Sequence, residues 1–510
     1  MEQFVAKHAE KIVGTLSCFD RVNFKGYLPV SYPESLEQFM LRRGFLVKDF
    51  ARFVEGNSKR VVAHAQAVAK KAGRHYQHLR HPTDKDKLAR GIAERDGVKE
   101  GLVCVLSAVE GCRSFAVVGG EGKPRLVGAG RKCLCLYFYF IHPDLGWLHV
   151  RIQSWFPFTV QVCLNGHEWL ARRLDQKGIA YRRVDNAFVW IADPARAQAV
   201  ANGFVKKRWP QVLSALARRA NPLLGNLLGS MKYSWVTDQA EYATDVLFDS
   251  PSALRPLYEG LLRHATLCFG AEEVMTFLGR KLTAGFAGDV VNHSTRRWPG
   301  ARVKHRMKGN WIKMYDKHGS ILRVETVIND PYEFRVYRWG TRAGRRQLGW
   351  YPMAKGVANL ARYAEVARAA NRRYLDALAG LEDPSAAIEA LRTIASPVRR
   401  EGRSYRGFNP ASEDDSRLFA AVLRGEHALK GFRNRHIAQR LYPATKDPAE
   451  RRRQSARVTR LLQRLHAHGL TAKIPRSQRW RVSRRGTLIM SCLLKVHRQD
   501  YHLLLSSKAA

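Results

Sequence analysis

Acidic residues are what this 510-residue chain is short of. Asp and Glu total 44 against 87 Lys and Arg, a formal net charge of +43 at pH 7. Self-repulsion of that size opposes a compact state unless a polyanion screens it. Nucleic acid is the expected polyanion, because binding releases its counterions. Long apolar runs are missing too: none approaches the roughly 18 residues of a membrane-spanning helix. The opening MEQFVAKHAEKIVGTLSCF carries two acids and lacks the apolar stretch of a secretory signal. Neither end reads as a helix with a basic face opposite a Trp/Phe/Leu face, so no membrane partner is expected. The eight cysteines include no CxxC pair. Cys133 and Cys135 share one face of an apolar strand, but no further ligands lie nearby to complete a zinc site. These are expected to be reduced, mostly buried thiols of a cytoplasmic protein.

What is present is an ordinary globular composition, 45% hydrophobic with 11 Trp, 18 Tyr and 22 Phe, in a chain too long for one core. The expected fold class is multidomain α+β (mixed α/β). Residues 1–100 read as a mainly helical region, with FDRVNFKGYLPV as a strand and ARFVEGNSKRVVAHAQAVAKKAG at helical apolar spacing. Residues 101–345 read as a β-rich central domain with a helical insertion at 200–285. Within it Asn165 is positioned to cap a helix closed by Gly178, and Asp193-Pro194 to open another. A helical segment follows at 346–398. Residues 399–411, rich in Gly, Ser, Pro and charge, read as a linker.

Residues 412–505 give the order helix, helix, helix, hairpin, helix. From residue 401 onward the chain holds 24 Lys/Arg and 8 Asp/Glu. In PAERRRQSARVTRLLQRLHAHG, Val458, Leu461, Leu462 and Leu465 form an apolar stripe. Arg453, Arg457, Arg460 and Arg464 recur every three to four residues on another face. This element order and charge placement resemble a winged helix of the MarR-like kind. The resemblance implies base reading in the major groove by Gln454, Ser455, Arg457 and Arg453, with Arg460 and Arg464 on the same basic face. It also implies phosphate contacts from a wing carrying Arg476, Arg479 and Arg481.

WIKMYDKHGSILRVETVI (Trp311–Ile328) reads as a hairpin whose period-2 alternation gathers Lys313, Tyr315, Arg323 and Glu325 on one side. A solvated face with cross-strand ion pairs is one reading. A site is the other: a Tyr can attack a phosphoryl group if cations and a metal assist it. YDK followed by LRVE is similar to the active-site region of Rep_trans-type rolling-circle replication initiators, and YRRVDNAFVWI (Tyr181–Ile191) to that family's acidic strand. The resemblance implies Tyr315 as nicking nucleophile, Lys317 beside the phosphate, and Asp185 and Glu325 as metal ligands; such hard oxygen donors suit Mg or Mn, and Lys313 or Lys317 can stabilise the developing charge. The sequence departs from the family in lacking a His-hydrophobic-His strand.

Two further stretches suit nucleic acid. His149, Arg151 and Gln153 alternate with apolar residues, flanked by Trp147 and Trp155, as a base-stacking groove would. Arg302, Lys304 and Arg306 lie in a basic stretch leading into the hairpin. Three functions follow as alternatives. One is a DNA-binding protein of replication-initiator or mobile-element type, nicking through Tyr315. Another is a non-catalytic winged-helix regulator, and the third an RNA-binding ribonucleoprotein component. Double-stranded DNA with a single-stranded segment is the leading partner, and RNA fits the same charge.

Overall fold

The computed structural model describes residues 1–119, 123–281, 286, 288–297, 300–342, 344–380, 392–409, 412–427, 430–475 and 477–498. The helices are α1 (Glu2–Lys7), α2 (Pro33–Leu41), α3 (Phe50–Lys71), α4 (Lys85–Arg95), α5 (Gly166–Gln176), α6 (Pro194–Ala201) and α7 (Trp209–Ala220). They continue with α8 (Pro251–Cys268), α9 (Ala271–Phe277), α10 (Leu360–Leu378), α11 (Glu413–Val422), α12 (Asn434–Leu441), α13 (Pro448–Ala467) and α14 (Arg484–Arg498). The strands are β1 (Ile12–Tyr27), β2 (His75–Leu79), β3 (Gly101–Val118), β4 (Arg125–His142), β5 (Gly146–Gln153), β6 (Val160–Asn165), β7 (Tyr181–Val184), β8 (Ala187–Ile191) and β9 (Ser234–Phe248). After them come β10 (Val290–Arg297), β11 (Gly300–Met307), β12 (Asn310–Lys317), β13 (Ile321–Ile328), β14 (Arg335–Arg342), β15 (Arg345–Pro352), β16 (Val398–Arg400), β17 (Arg403–Tyr405), β18 (Thr471–Lys473) and β19 (Trp480–Val482). The fold is α+β and multidomain, as the sequence leads one to expect. No helix among the described residues is long and apolar enough to cross a membrane.

The chain forms two compact units that interleave in sequence. The first comprises Met1–Val13, Asp245–Thr326 and Arg368–Ala510, the second Gly14–Thr244 and Val327–Ala367. In the second, strands run in the order β9-β1-β6-β5-β4-β3-β2. Pairing from β1 to β3 is antiparallel, and β2 joins parallel to β3. Helix α3 forms where Phe50, Phe53, Val54, Val61, Ala65 and Ala69 recur on one side, and all are buried. Asn165 caps α5 by accepting from His167 N and Glu168 N at 2.8 and 3.2 Å. Asp193 caps α6 in the same way, with Pro194 at its first position. The eight thiols are free, and Cys18, Cys104, Cys133, Cys135 and Cys268 are buried.

In the first unit the order is β10-β11-β12-β13-β9. All eight residues of β13 are buried, as in a strand covered on both faces. One face packs Val303, Ile312, Met314, Leu322 and Val324 against α8 and the end of α10, through Leu254, Leu261, Tyr374 and Leu378. His305 lies among them, fully buried, bonded to Asn292 Oδ1 at 2.8 Å and to Tyr374 Oη at 3.0 Å. Burial pushes its pKa down to about 3. In the same unit, α11, α12, α13 and α14 enclose a separate core that includes Leu418, Phe419, Ile437, Val458, Leu462, Leu465, Ile489 and Met490. Asp447 caps α13, Pro448 follows it, and Gly469 (φ +71°) ends it. The β18–β19 hairpin comes next, with a single antiparallel bridge from Phe432 to Trp480.

Three readings of the sequence are corrected here. Residues 200–285 contain the fifteen-residue strand β9 rather than helix alone. The strand read at FDRVNFKGYLPV starts earlier, at Ile12, and ends at Tyr27 as β1. In the supposed linker, Val398–Arg400 pairs with Arg403–Tyr405. Glu401 and Gly402 both take positive φ there, which makes a two-residue turn that matches strand twist.

Candidate functional site

The hairpin forms where its alternation predicts. His318 and Gly319 both adopt positive φ (+56° and +81°), and Asp316 Oδ1 accepts from Gly319 N at 3.0 Å. Its polar face gathers three of the four residues. Glu325, nearly fully buried, accepts from Lys313 Nζ at 2.6 Å through Oε1 and from Tyr315 Oη at 2.7 Å through Oε2. The fourth, Arg323, turns to a residue the sequence reading missed. Its Nε and Nη2 reach the two oxygens of Asp245 on β9 at 2.6 and 2.7 Å, a bidentate pair at full burial. On β11, Arg302 pairs across from Tyr315, Lys304 from Lys313 and Arg306 from Trp311. Directly paired residues share a face, so the basic stretch does lie beside the hairpin. Lys304 Nζ sits 3.9 Å from the Trp311 ring centre. Lys317 ends β12, partly buried. The arrangement gives Tyr315 a proton acceptor in Glu325, with Lys313 on the same strand and Arg302 and Lys304 on β11 bringing positive charge to that face.

Asp185 is not on a strand. YRRVDNAFVWI folds as the β7–β8 hairpin with Asp185-Asn186 as its two-residue turn, Asp185 exposed at φ +51°. Asp and Asn tolerate that conformation, which is why the chain turns there. The next residue is the informative one. Asn186 Nδ2 donates to Asp20 Oδ1 at 2.7 Å, and Asn165 Nδ2 does so at 3.4 Å. The fully buried His167 brings Nδ1 to 3.3 Å of the same oxygen. Glu241 offers an oxygen within 4.8 Å of Asp20. Two carboxylates thus come together in the second unit, from β1 and β9, with the His167 imidazole beside Asp20. Such hard oxygen donors suit Mg or Mn. The sequence reading missed Asp20 and Glu241. The signal was the alternation of WVTDQAEYATDVLF, obscured by the helical segments around it.

The expected base-stacking groove does not form. Trp147 and Trp155 are buried, and His149 is pushed down to about 4 by burial and so stays neutral. Arg151 donates to Glu110 Oε2 and Tyr137 Oη at 3.1 Å, to Gln161 Oε1 at 3.3 Å and to Cys135 Sγ at 3.0 Å. Gln153 is buried and bonded to the carbonyls of Arg113 and Trp155. Arg151 and Gln153 still line a cavity of about 1350 Å³, where Lys25, Arg113, Arg131 and Lys132 bring positive charge. Cys112 also lines it, 2.8 Å from Cys133 Sγ. The hydrogen bond with Cys133, then Arg151 and Arg131, brings the Cys112 thiol down to about 7 against the effect of burial.

On α13 the arginine row divides. Arg453, Arg457 and Arg460 are exposed. Arg464 is buried: it grips Asp415 at 2.8 and 3.1 Å and lies 3.8 Å over the Phe408 ring. It is a clamp within the C-terminal core, not a groove contact. Gln454 Nε2 donates to Pro443 O at 3.4 Å, and Ser455 Oγ to Asn434 Oδ1 at 3.3 Å, so both join α13 to its surroundings. In the β18–β19 hairpin, Arg479 donates to Lys430 O at 3.1 Å, and Arg481 pairs with Glu272. Arg476 lies outside the described residues. No family model, no curated protein and no solved structure matches this chain.

Proposed function

We propose that the chain is a cytoplasmic DNA-binding protein of replication-initiator or mobile-element type that nicks a strand through Tyr315. The observation that carries the reading is the Tyr315–Glu325–Lys313 arrangement on a face that also bears Arg302, Lys304 and Arg306. Tyr315 Oη attacks the phosphodiester phosphorus as its proton passes to Glu325. A phosphotyrosine ester forms, and the displaced strand oxygen takes a proton from water. Lys313 balances the charge of Glu325, and Arg302 meets the phosphate. The C-terminal module acts as a winged helix, with Arg453, Arg457 and Arg460 toward the duplex. Asp20 and Glu241 are the residues of the second unit that would hold Mg or Mn, an ion that would supply Lewis-acid chemistry.

The test is incubation of supercoiled and single-stranded DNA with Mg²⁺ or Mn²⁺. Nicking by the wild type, absent in Tyr315→Phe and Glu325→Ala, is the expected result. A non-catalytic winged-helix regulator is the second reading, favoured by the burial of Glu325. It expects duplex binding with every strand intact.

A further inference from the structure

Strands β14 and β15 form a two-stranded ribbon within the second unit that belongs to no larger sheet. Its two faces differ. On one, Val336 is buried, and Arg338 donates through Nε and Nη2 to Pro352 O at 3.2 and 2.9 Å. The Tyr351 ring lies across Gly340, where any Cβ would meet it at 2.7 Å. That face is closed and stiffens the ribbon.

The other face carries Tyr337, Trp339, Leu348 and Trp350. Each is about half exposed or more, with Trp350 at 64% and Trp339 at 56%. The register sets Tyr337 opposite Trp350 and Trp339 opposite Leu348. The Tyr337 and Trp350 rings meet edge to face, 5.7 Å apart, and the Arg346 guanidinium stands 5.6 Å from the Trp339 ring. Two Trp residues left this open are costly unless a partner covers them.

We infer that this ribbon face is a base-stacking platform for single-stranded DNA. Charge selects the partner: Arg335–Pro352 holds five arginines and no acid. Spacing fits it as well. Residues two apart on a strand are about 6.8 Å apart, twice the roughly 3.4 Å rise of stacked bases, so Tyr337 and Trp339 leave room for one base between them. The stiff closed face means little ordering is needed on binding. Aromatic faces accept any base, and arginines meet the phosphates, so binding is expected to be sequence-tolerant and salt-sensitive. The choice of DNA over RNA rests on the proposed function; the platform itself does not depend on α13 or Tyr315.

The test uses the full-length protein with fluorescein-labelled dT20, U20 and a duplex, read by anisotropy. The double variant Trp339→Ala/Trp350→Ala is expected to lose at least about tenfold in dT20 affinity with duplex affinity unchanged. Trp339→Phe/Trp350→Phe should restore most of it. An unchanged dT20 affinity in the alanine variant would overturn the inference. So would tighter binding of U20 than of dT20. Two further results would reassign the face: wild-type dimers that the variant dissolves, or variant-sensitive binding to anionic phospholipid vesicles without dT20 binding. Wild-type binding of dT20 without duplex binding would sink the winged-helix reading and leave this one standing.

Discussion

Two sheet faces in this protein carry the same sequence signal and end differently. On β5 and β6 of the second unit, and on β12 and β13 of the first, alternation gathers charged and polar side chains on one side. In the second unit the network closes on itself: Arg151 spends its donors on Glu110, Tyr137, Gln161 and Cys135. In the first, Glu325 sits between a cation and a phenol, and the phenol belongs to a residue only partly buried. Period-2 alternation says which side a residue faces. Whether that side is a finished hydrogen-bond network or a reactive one depends on partners supplied by other strands.

The comparison can be broken most forcefully at Asp245. Asp245→Ala removes the bidentate partner of the fully buried Arg323 guanidinium and is expected to cost about 3–5 kcal/mol in denaturant unfolding. A loss under about 1 kcal/mol would mean the pair is not the anchor of the β9–β13 region. Next is the acid limb of stability, which samples the opposite face of β11. His305 titrates near 3 when folded and near 6.5 when unfolded. Between those values only the unfolded chain binds the proton, so this contribution is whole above pH ~6.5 and is lost as pH falls toward 3. His305→Gln should remove a few kcal/mol of pH dependence across that window, measured as the difference between urea curves at pH 4 and pH 7.

Smaller effects sharpen the contrast. Arg151→Met should cost about 1–3 kcal/mol, because half-exposed Glu110 can reach water, and should leave strand cleavage intact. Tyr315→Phe deletes one hydrogen bond to a carboxylate, about 1–2 kcal/mol, yet should abolish cleavage. If Tyr315→Phe cleaves normally, the two faces are alike and both structural. Least disruptive is Cys112 alkylation by iodoacetamide, expected to be half-maximal near pH 7; half-reaction at an ordinary thiol pH near 8.5 would remove the Cys133 hydrogen bond, Arg151 and Arg131 as its activators.

Much of the architecture is legible in local chemistry. The caps at Asn165, Asp193 and Asp447 each have a side-chain acceptor at the first turn, and the α3 stripe follows the helical period. The Trp311–Ile328 hairpin carries its turn residues and its alternation together. What stays hidden is non-local. Asp20, Glu241 and Asp245 lie on β1 and β9, strands flanked by helix-like sequence, so nothing nearby announces their partners. Arg464 repeats the spacing of Arg457 and Arg460, yet it meets Asp415 from α11 and is buried. The exposed ring face of β14–β15 escapes because exposed and buried tryptophans look the same in a sequence.

The most direct measurement is mass spectrometry of the protein after incubation with single-stranded DNA and Mn²⁺ or Mg²⁺, followed by nuclease and protease digestion. A nucleotide mass on the peptide containing Tyr315, absent in Glu325→Ala, is the result this account expects. Retained DNA binding with no adduct on any tyrosine and no broken strand would contradict it.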